Sequence, residues 1–208
     1  MTVTKLGIWQ TALAMVSDVT IADTTTANTQ QRLLTLLWPG VRTRCLTAST
    51  WSFATTIATL AVTSGTPDDF AFEYELPDDF LVAIEIPMTV TGGSVAFYPY
   101  ERGRMSLRAP FVTRDRGGTM YLYTDVQDAT LRYIKDTAET FTNWPQPFAD
   151  YAAAKLASII AVPLGAGDGR RTMADRIAQQ FYAEMRSYDA RTQLGEMPTQ
   201  SRYASGRG

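Results

Sequence analysis

The sequence predicts an α+β protein. We expect two N-terminal and two C-terminal helices to form a bundle that carries an inserted antiparallel β sandwich or partial barrel. Apolar residues recur every three or four positions near both ends of the chain, as in amphipathic helices, and alternate with polar residues in the middle, as in strands. The chain of 208 residues, 45% of them hydrophobic, is long enough to bury one core.

Two helices are predicted in the first quarter of the chain, over residues 5–17 and 25–49. Asp23 and the threonines at 24–26 are candidate N-caps for the second helix, and Pro39 should kink it or split it in two. Gln10 and Thr11 interrupt the apolar run of the first helix, which favours an amphipathic helix over a signal peptide. The predicted apolar faces are Leu6, Trp9, Leu13 and Val16, and then Leu34, Leu37, Val41, Cys45 and Ala48.

The middle of the chain alternates as strands do. Val82, Ile84 and Ile86 are expected on one face of a strand, and the paired glycines at 92–93 and 117–118 suit two-residue hairpin turns, since glycine tolerates positive φ. Trp51, Phe53, Trp144 and Phe148 are interpreted as core packing residues. The predicted strands are 70–75, 80–86, 120–124 and 129–135, of which the last two should pair with each other.

Helical spacing returns after two prolines, Pro145 and Pro147, which suit the first turn of a helix. We predict helices over 146–163 and 169–191, the second with an apolar face of Met173, Ile177, Phe181, Met185 and Tyr188. The predicted organisation is a helical domain of residues 1–49 and 146–192, a β-rich insertion of 50–145 and an extended tail of 193–208.

Composition narrows the function classes. There is no histidine, which excludes Ser-His and Cys-His catalysis and most zinc sites. The single Cys45 cannot form an intrachain disulfide, and a net charge of −2 provides no global field for holding nucleic acid. No segment is long and apolar enough to span a membrane. We therefore expect no cofactor, no resident metal and no stable membrane insertion.

Two charge runs stand in the β region. The acidic run spans residues 68–85, and the basic run over 102–116 contains five arginines. The acidic run suits a solvated turn and strand face, and the basic run an exposed arm or, with its aromatic neighbours, a nucleic-acid contact. Copies arranged head to tail could also pair the two runs. The residues predicted for that ring contact are Asp68, Asp69, Glu73, Glu75, Arg102, Arg104 and Arg108.

Short motifs follow one another along the chain in a definite order. They are the Ala12-Leu13 helix, the stretch 18–21, Val41-Arg42 to Leu46, Trp51-Ser52-Phe53-Ala54, Leu60-Ala61, Tyr74-Glu75-Leu76-Pro77-Asp78-Asp79-Phe80-Leu81, Leu131-Arg132-Tyr133-Ile134, Trp144-Pro145-Gln146-Pro147-Phe148, the helix from Ala152 to Pro163 and a last helix rich in small and charged residues. Their order and spacing over about 180 residues resemble those of the tail tubular protein A-type adaptors of short-tailed bacteriophages.

The resemblance implies a structural virion protein, assembled in the host cytoplasm and placed at the head–tail junction. It implies a ring of twelve copies that joins the portal protein to the tail nozzle protein, extends the DNA ejection channel and contacts passing DNA transiently. It carries over no catalytic residue. A basic, Gly/Ser-rich tail suits docking on an acidic portal surface, so we predict portal contacts for Arg202, Tyr203 and Arg207.

Two other interpretations stay open at the level of sequence. One is an enzyme that hydrolyses a cell-envelope polymer with a carboxylate pair from the acidic run, for which Asp78 and Asp79 are the candidates. The other is a different minor tail or head-completion protein. Copy number in the particle separates this last interpretation from a ring.

Overall fold

The fold is mixed α+β, as the sequence predicts. A computed structural model describes residues 2–25, 28–65, 69–88, 107–138 and 140–194. Within these residues it contains four α-helices and two antiparallel sheets of four strands each. Helices lie in both the N-terminal and the C-terminal regions, and all strands lie between them. The predicted hairpin around residues 92–93 falls outside the described residues.

Helix α1 spans Lys5–Val16, and α2 spans Thr29–Leu46. The predicted caps of α2 are wrong, because Asn28 supplies the cap: its Oδ1 accepts a hydrogen bond of 2.7 Å from the Gln31 amide. The carboxylate of Asp23 instead accepts from the Thr25 amide, an Asx turn that precedes the helix. Pro39 does not split α2, which continues through it with Trp38 and Val41 both buried.

Helix α3 spans Gln146–Ile160 and α4 spans Asp168–Leu194. The predicted apolar face of α4 is partly wrong, since the side chains of Met173 and Tyr188 are 64% and 45% exposed. Met185 is buried as predicted, and Ala174 and Ala178 are buried in place of the two exposed residues. Helix α3 likewise buries small residues, namely Ala149, Ala152, Ala153, Ala154 and Ala157. Small side chains let two helix backbones approach closely, so these alanines contribute to the packing of α3 together with the buried Phe148, Leu156 and Ile160.

An aromatic cluster forms the core between the helices and the short segments next to them, residues 51–53 and 141–145. Phe148 packs edge-on against Trp51, Phe53 and Trp144, with ring centroids 5.8, 4.7 and 4.7 Å away. This confirms the interpretation of these four residues as core packing. The buried Asp189 of α4 holds the same region, because its Oδ1 accepts hydrogen bonds from the amide and the hydroxyl of Ser52 at 2.9 and 2.6 Å.

The strands form two sheets with the orders β1-β8-β4-β5 and β2-β3-β7-β6. The pairing predicted between residues 120–124 and 129–135 is wrong, because β7 pairs with β3 and β6 whereas β8 pairs with β1 and β4. The strands are β1 Thr55–Thr59, β2 Ala61–Val62, β3 Phe72–Glu75, β4 Phe80–Met88, β5 Leu107–Ala109, β6 Phe111–Arg116, β7 Thr119–Thr124 and β8 Thr130–Lys135.

The two sheets share one buried cluster and form a sandwich. Tyr74 and Leu122 contribute to it from one sheet, and Ile86, Leu131 and Tyr133 from the other. A short connection between β7 and β8 therefore crosses from one sheet to the other instead of closing a hairpin. The hydroxyl of the buried Tyr74 fastens this crossing, since it donates to the carbonyl of Val126 at 2.7 Å and accepts from the Ala129 amide at 3.3 Å.

Two local features of the sandwich test the sequence predictions in opposite ways. Gly117 and Gly118 have φ of +66° and +86° and join β6 to β7 by a two-residue turn, which confirms that hairpin. The face predicted for β4 is partly wrong: Ile86 lies in the core as predicted, but Phe80 and Ala83 pack there too, and Val82 is exposed. Two register shifts in the pairing of β4 with β8 interrupt the period of two.

The chain divides into two compact units. One consists of residues 1–45, 51–53 and 141–208, and the other of 46–50 and 54–140. The first contains the helices and the aromatic cluster, and the second contains the sandwich. None of the helices in the described residues is long and apolar enough to cross a lipid bilayer.

Candidate interaction surface

The outer face of the β2-β3-β7-β6 sheet is organised around a buried carboxylate. Glu73 on β3 points away from the core, yet its side chain is only 1% exposed. The hydroxyl of Tyr123 donates to Glu73 Oε2 at 2.8 Å, the hydroxyl of Thr63 donates to Oε1, and Arg116 Nη1 lies 2.8 Å from Oε2. The expectation of a wholly solvated strand face is therefore wrong at Glu73.

These partners set the charge of Glu73. Burial by itself raises its pKa, but the hydrogen bonds from Thr63 and Tyr123 and the positive charge of Arg116 lower the pKa below its ordinary value of 4.5. The hydrogen bond to Glu73 raises the pKa of Tyr123, so this phenol remains a donor. Glu73 is therefore an ionised structural group whose bonds are satisfied within the chain.

Gly65 provides the space for this arrangement. A Cβ at position 65 would lie 2.7 Å from both Arg116 Nη1 and Glu73 Cδ, which is closer than real Cβ atoms approach. Any larger residue must displace the ion pair. The loop that carries Thr63 and Gly65 is thus fitted around the Glu73 carboxylate.

A second buried carboxylate organises the outer face of the β1-β8-β4-β5 sheet. Glu85 on β4 has a side chain only 8% exposed and lies between Arg108 of β5 and Arg132 of β8. Arg108 Nε is 2.6 Å from Glu85 Oε2, and Arg132 Nη1 donates to Oε1 at 3.1 Å. The two guanidinium groups remain 54% and 44% exposed. One carboxylate thus orders two half-exposed arginines, which leaves this spot with one net positive charge.

The structure places the residues predicted for the ring contact in three groups. Glu73 and Arg108 are paired inside the chain as described, and Asp69 pairs with Arg114 at 3.0 Å. Glu75 is exposed, and its side-chain carboxylate has no hydrogen-bond or ion-pair partner among the described residues. Asp68, Arg102 and Arg104, together with the tail residues Arg202, Tyr203 and Arg207, lie outside the described residues.

The carboxylates considered for catalysis differ in their surroundings. Asp79 accepts a hydrogen bond of 2.7 Å from the hydroxyl of Tyr133, and burial together with this bond raises the pKa of Tyr133 to about 12. Asp78 has no such partner among the residues described; it lines a cleft of about 340 Å³ with Glu75, Leu60, Leu76 and Pro77. Within the described ranges, no three His, Cys, Asp or Glu side chains lie close enough together to hold a metal ion.

Sequence reasoning missed Arg132, Glu85 and Asp189 as organising residues. Glu85 belongs to the acidic run, but nothing in the alternation of β4 indicates that a charged side chain there is buried. The burial of Glu85 depends on strand register, since the pairing of β4 with β8 brings Arg132 opposite Glu85. Asp189 is separated from Ser52 by 137 positions, so no local pattern connects them. The chain matches no protein-family model and no curated protein sequence.

Proposed function

We propose that this protein is a structural adaptor at the head–tail junction of a short-tailed bacteriophage. Copies would form a ring that joins the portal to the tail nozzle and continues the channel through which DNA leaves. The observation that carries the proposal is the order of structure along the chain. Two helices, a β-sandwich and two helices follow one another as the resemblance to the tail tubular protein A-type adaptors implies.

The motifs of the resemblance also coincide with contacts that hold this fold. In the Tyr74 to Leu81 motif, Tyr74 fastens the crossing between the sheets and Asp79 binds Tyr133. Phe148 contacts both Trp51 and Trp144 in the aromatic cluster. Residues that fasten junctions of a fold are those that a shared architecture requires, which supports a common fold behind the short motifs.

Charge supports a channel role. A wall that lets DNA pass must not neutralise many phosphates, since each neutralised phosphate adds salt-dependent affinity. The chain has a net charge of −2, and four arginines of the sandwich, Arg108, Arg114, Arg116 and Arg132, are paired with carboxylates of the same chain. Within the described part of the sandwich, three carboxylates thus neutralise three of these four guanidinium charges, which leaves little positive charge there to hold a passing phosphate backbone.

The first experiment measures rotational symmetry. Purified protein mixed with portal rings should give a closed ring of twelve copies in class averages by electron microscopy. The same ring should be present in tails released from virus particles. A protein that adds to portals in no ordered ring, or virions that lack this chain at the neck, would contradict the proposal.

The second experiment tests portal docking by the tail. Helix α4 continues to Leu194, and Gln193 donates a hydrogen bond of 3.0 Å to Asp189, so a truncation should end after residue 194 to keep the helix intact. We expect weaker binding to portal rings. The full-length chain with Arg202→Ala, Tyr203→Ala and Arg207→Ala is the matched variant and should weaken binding similarly. Unchanged affinity in both would remove the tail from the interface.

A further inference from the structure

The sandwich carries two complementary charged features at separate places on its surface. Leu131, Tyr133, Ile86 and Ala109 face the core, so the neighbouring Arg132, Glu85 and Arg108 lie on the outer face of the β1-β8-β4-β5 sheet. Tyr74 faces the core from β3, so Glu75 lies on the outer face of the other sheet. The first face presents two guanidinium groups for one carboxylate. On the second face Arg114 and Arg116 are each paired with a carboxylate, whereas Glu75 is not.

The basic feature is preorganised. Glu85 contacts Arg108 through Nε and Arg132 through one terminal nitrogen, and the remaining donors of both guanidinium groups have no partner among the described residues. These contacts with the buried Glu85 restrain both guanidinium groups, so less rotamer freedom remains to be lost on binding. Such a pair suits two carboxylate oxygens, which arginine binds with two parallel hydrogen bonds.

The acidic feature has the matching chemistry. Glu75 and Asp78 have no partner among the described residues, in contrast to Asp69, Glu73, Asp79 and Glu85 of the same run. They stand beside the apolar Leu60, Leu76 and Pro77 in one cleft. A cleft with apolar walls and two unpaired carboxylates fits a partner that brings guanidinium groups on an apolar stem.

We propose that the Arg108–Arg132 face of one copy binds the Glu75–Asp78 cleft of a second copy of this chain. The inference rests on the proposed function, because it specifies the contact by which a ring would form. A surface that meets a different surface of the next copy repeats head to tail, and closes into a ring when the rotation allows. The two features are separate on the sandwich: the arginine pair lies on the outer face of one sheet, and the cleft lies where the β1–β2 and β3–β4 connections join the two sheets.

The experiment is a charge exchange. The cleft variant carries Glu75→Arg and Asp78→Arg, and the face variant carries Arg108→Glu, Arg132→Glu and Glu85→Arg, which keeps the internal ion pairs with their signs exchanged. Each variant alone would bring like charges together and should assemble at least about tenfold more weakly by analytical ultracentrifugation. Mixed in equal amounts, the two restore opposite charges at every contact of an alternating ring, so assembly should recover.

Two controls keep the result decisive. Asp18→Arg with Glu184→Arg changes the charge equally in the helical unit and should assemble as the wild type does. If the melting temperature of the face variant differs from that of the wild type, the mixing experiment is done instead with the cleft variant and wild-type chains. A cleft variant can accept a neighbour on its arginine face only, so it should shorten wild-type assemblies in proportion to the amount added.

The outcomes separate the two proposals. Wild-type chains that form no ring on portals would overturn the proposed function and this contact with it. Two results would overturn the contact alone: a cleft variant that assembles into rings as well as the wild type does, or a mixture of the cleft and face variants that does not regain assembly. Rings that are unchanged while DNA binding is lost on exchanging Arg108 and Arg132 would assign the arginine face to phosphate instead.

Discussion

Replacing the buried Asp189 should destabilise the helical unit by an amount that its hydrogen bonds predict. Its carboxylate accepts three bonds, from the Ser52 amide and hydroxyl at 2.9 and 2.6 Å and from Gln193 Nε2 at 3.0 Å. A hydrogen bond to a charged group contributes about 1.5–3 kcal/mol, and an amide left without a partner costs about 1–3 kcal/mol. The Ser52 hydroxyl and Gln193 are exposed enough to turn to water.

For Asp189→Ala we therefore expect a loss of about 2–3 kcal/mol, dominated by the stranded Ser52 amide. Asp189→Asn keeps one acceptor oxygen and should lose about 1 kcal/mol, and Ser52→Ala, which removes only the hydroxyl, about 0.5–1 kcal/mol. Urea unfolding followed by tryptophan fluorescence measures all three, since Trp51 adjoins Ser52. An alanine variant within about 0.5 kcal/mol of the wild type, or an asparagine variant as unstable as the alanine one, would refute the reasoning.

Three further outcomes are expected from residues whose surroundings are described above. Gly65→Ala should lower the urea midpoint because its Cβ displaces the Glu73 carboxylate, whereas Gly40→Ala, where no atom lies within 4 Å of the new Cβ, should not; equal midpoints for the two would contradict this. Glu73→Gln should be less stable than the wild type at pH 7. Since folding lowers the pKa of Glu73, the carboxylate stabilises the fold above its unfolded pKa near 4.5, and the difference should shrink as the pH falls below that value; a gap that stays constant to pH 3 would count against it. Cys45 should react with a thiol reagent only as fast as the helical unit opens, because burial raises its pKa to about 12; labelling independent of urea would show otherwise.

The sequence predicted the elements that depend on local periodicity and turn residues. Helix spacing located all four helices, and the Gly117-Gly118 pair located a hairpin, because both depend on neighbours in the chain. Pro39 was expected to kink α2 or split it in two; the helix is not split, and Trp38 and Val41 beside the proline are both buried. The wrong pairing of β7 with β8 has a similar cause: a short connection suggests a hairpin, but the shared core of two sheets draws the strands apart.

The candidate surface was less predictable than the fold. Runs of like charge identify which segments carry acidic or basic residues, and both runs do contribute to the outer faces of the sandwich. Which charges are already neutralised depends on cross-strand register, as the Glu85–Arg132 pair shows. Glu73 and Glu75 are two positions apart and point the same way, yet only the first is covered, by a tyrosine and an arginine from a different strand.

The division of the chain imposes an order of events during synthesis. Residues 54–140 form nearly all of the sandwich without help from distant sequence, so a complete β unit emerges from the ribosome before α3 and α4 do. The helical unit is completed later, since it includes contacts between its two ends. Arg170 of α4, for example, donates a hydrogen bond to the carbonyl of Val16, 154 positions earlier. The first two helices of this unit therefore emerge with their apolar sides uncovered, and remain so until the last third of the chain is translated.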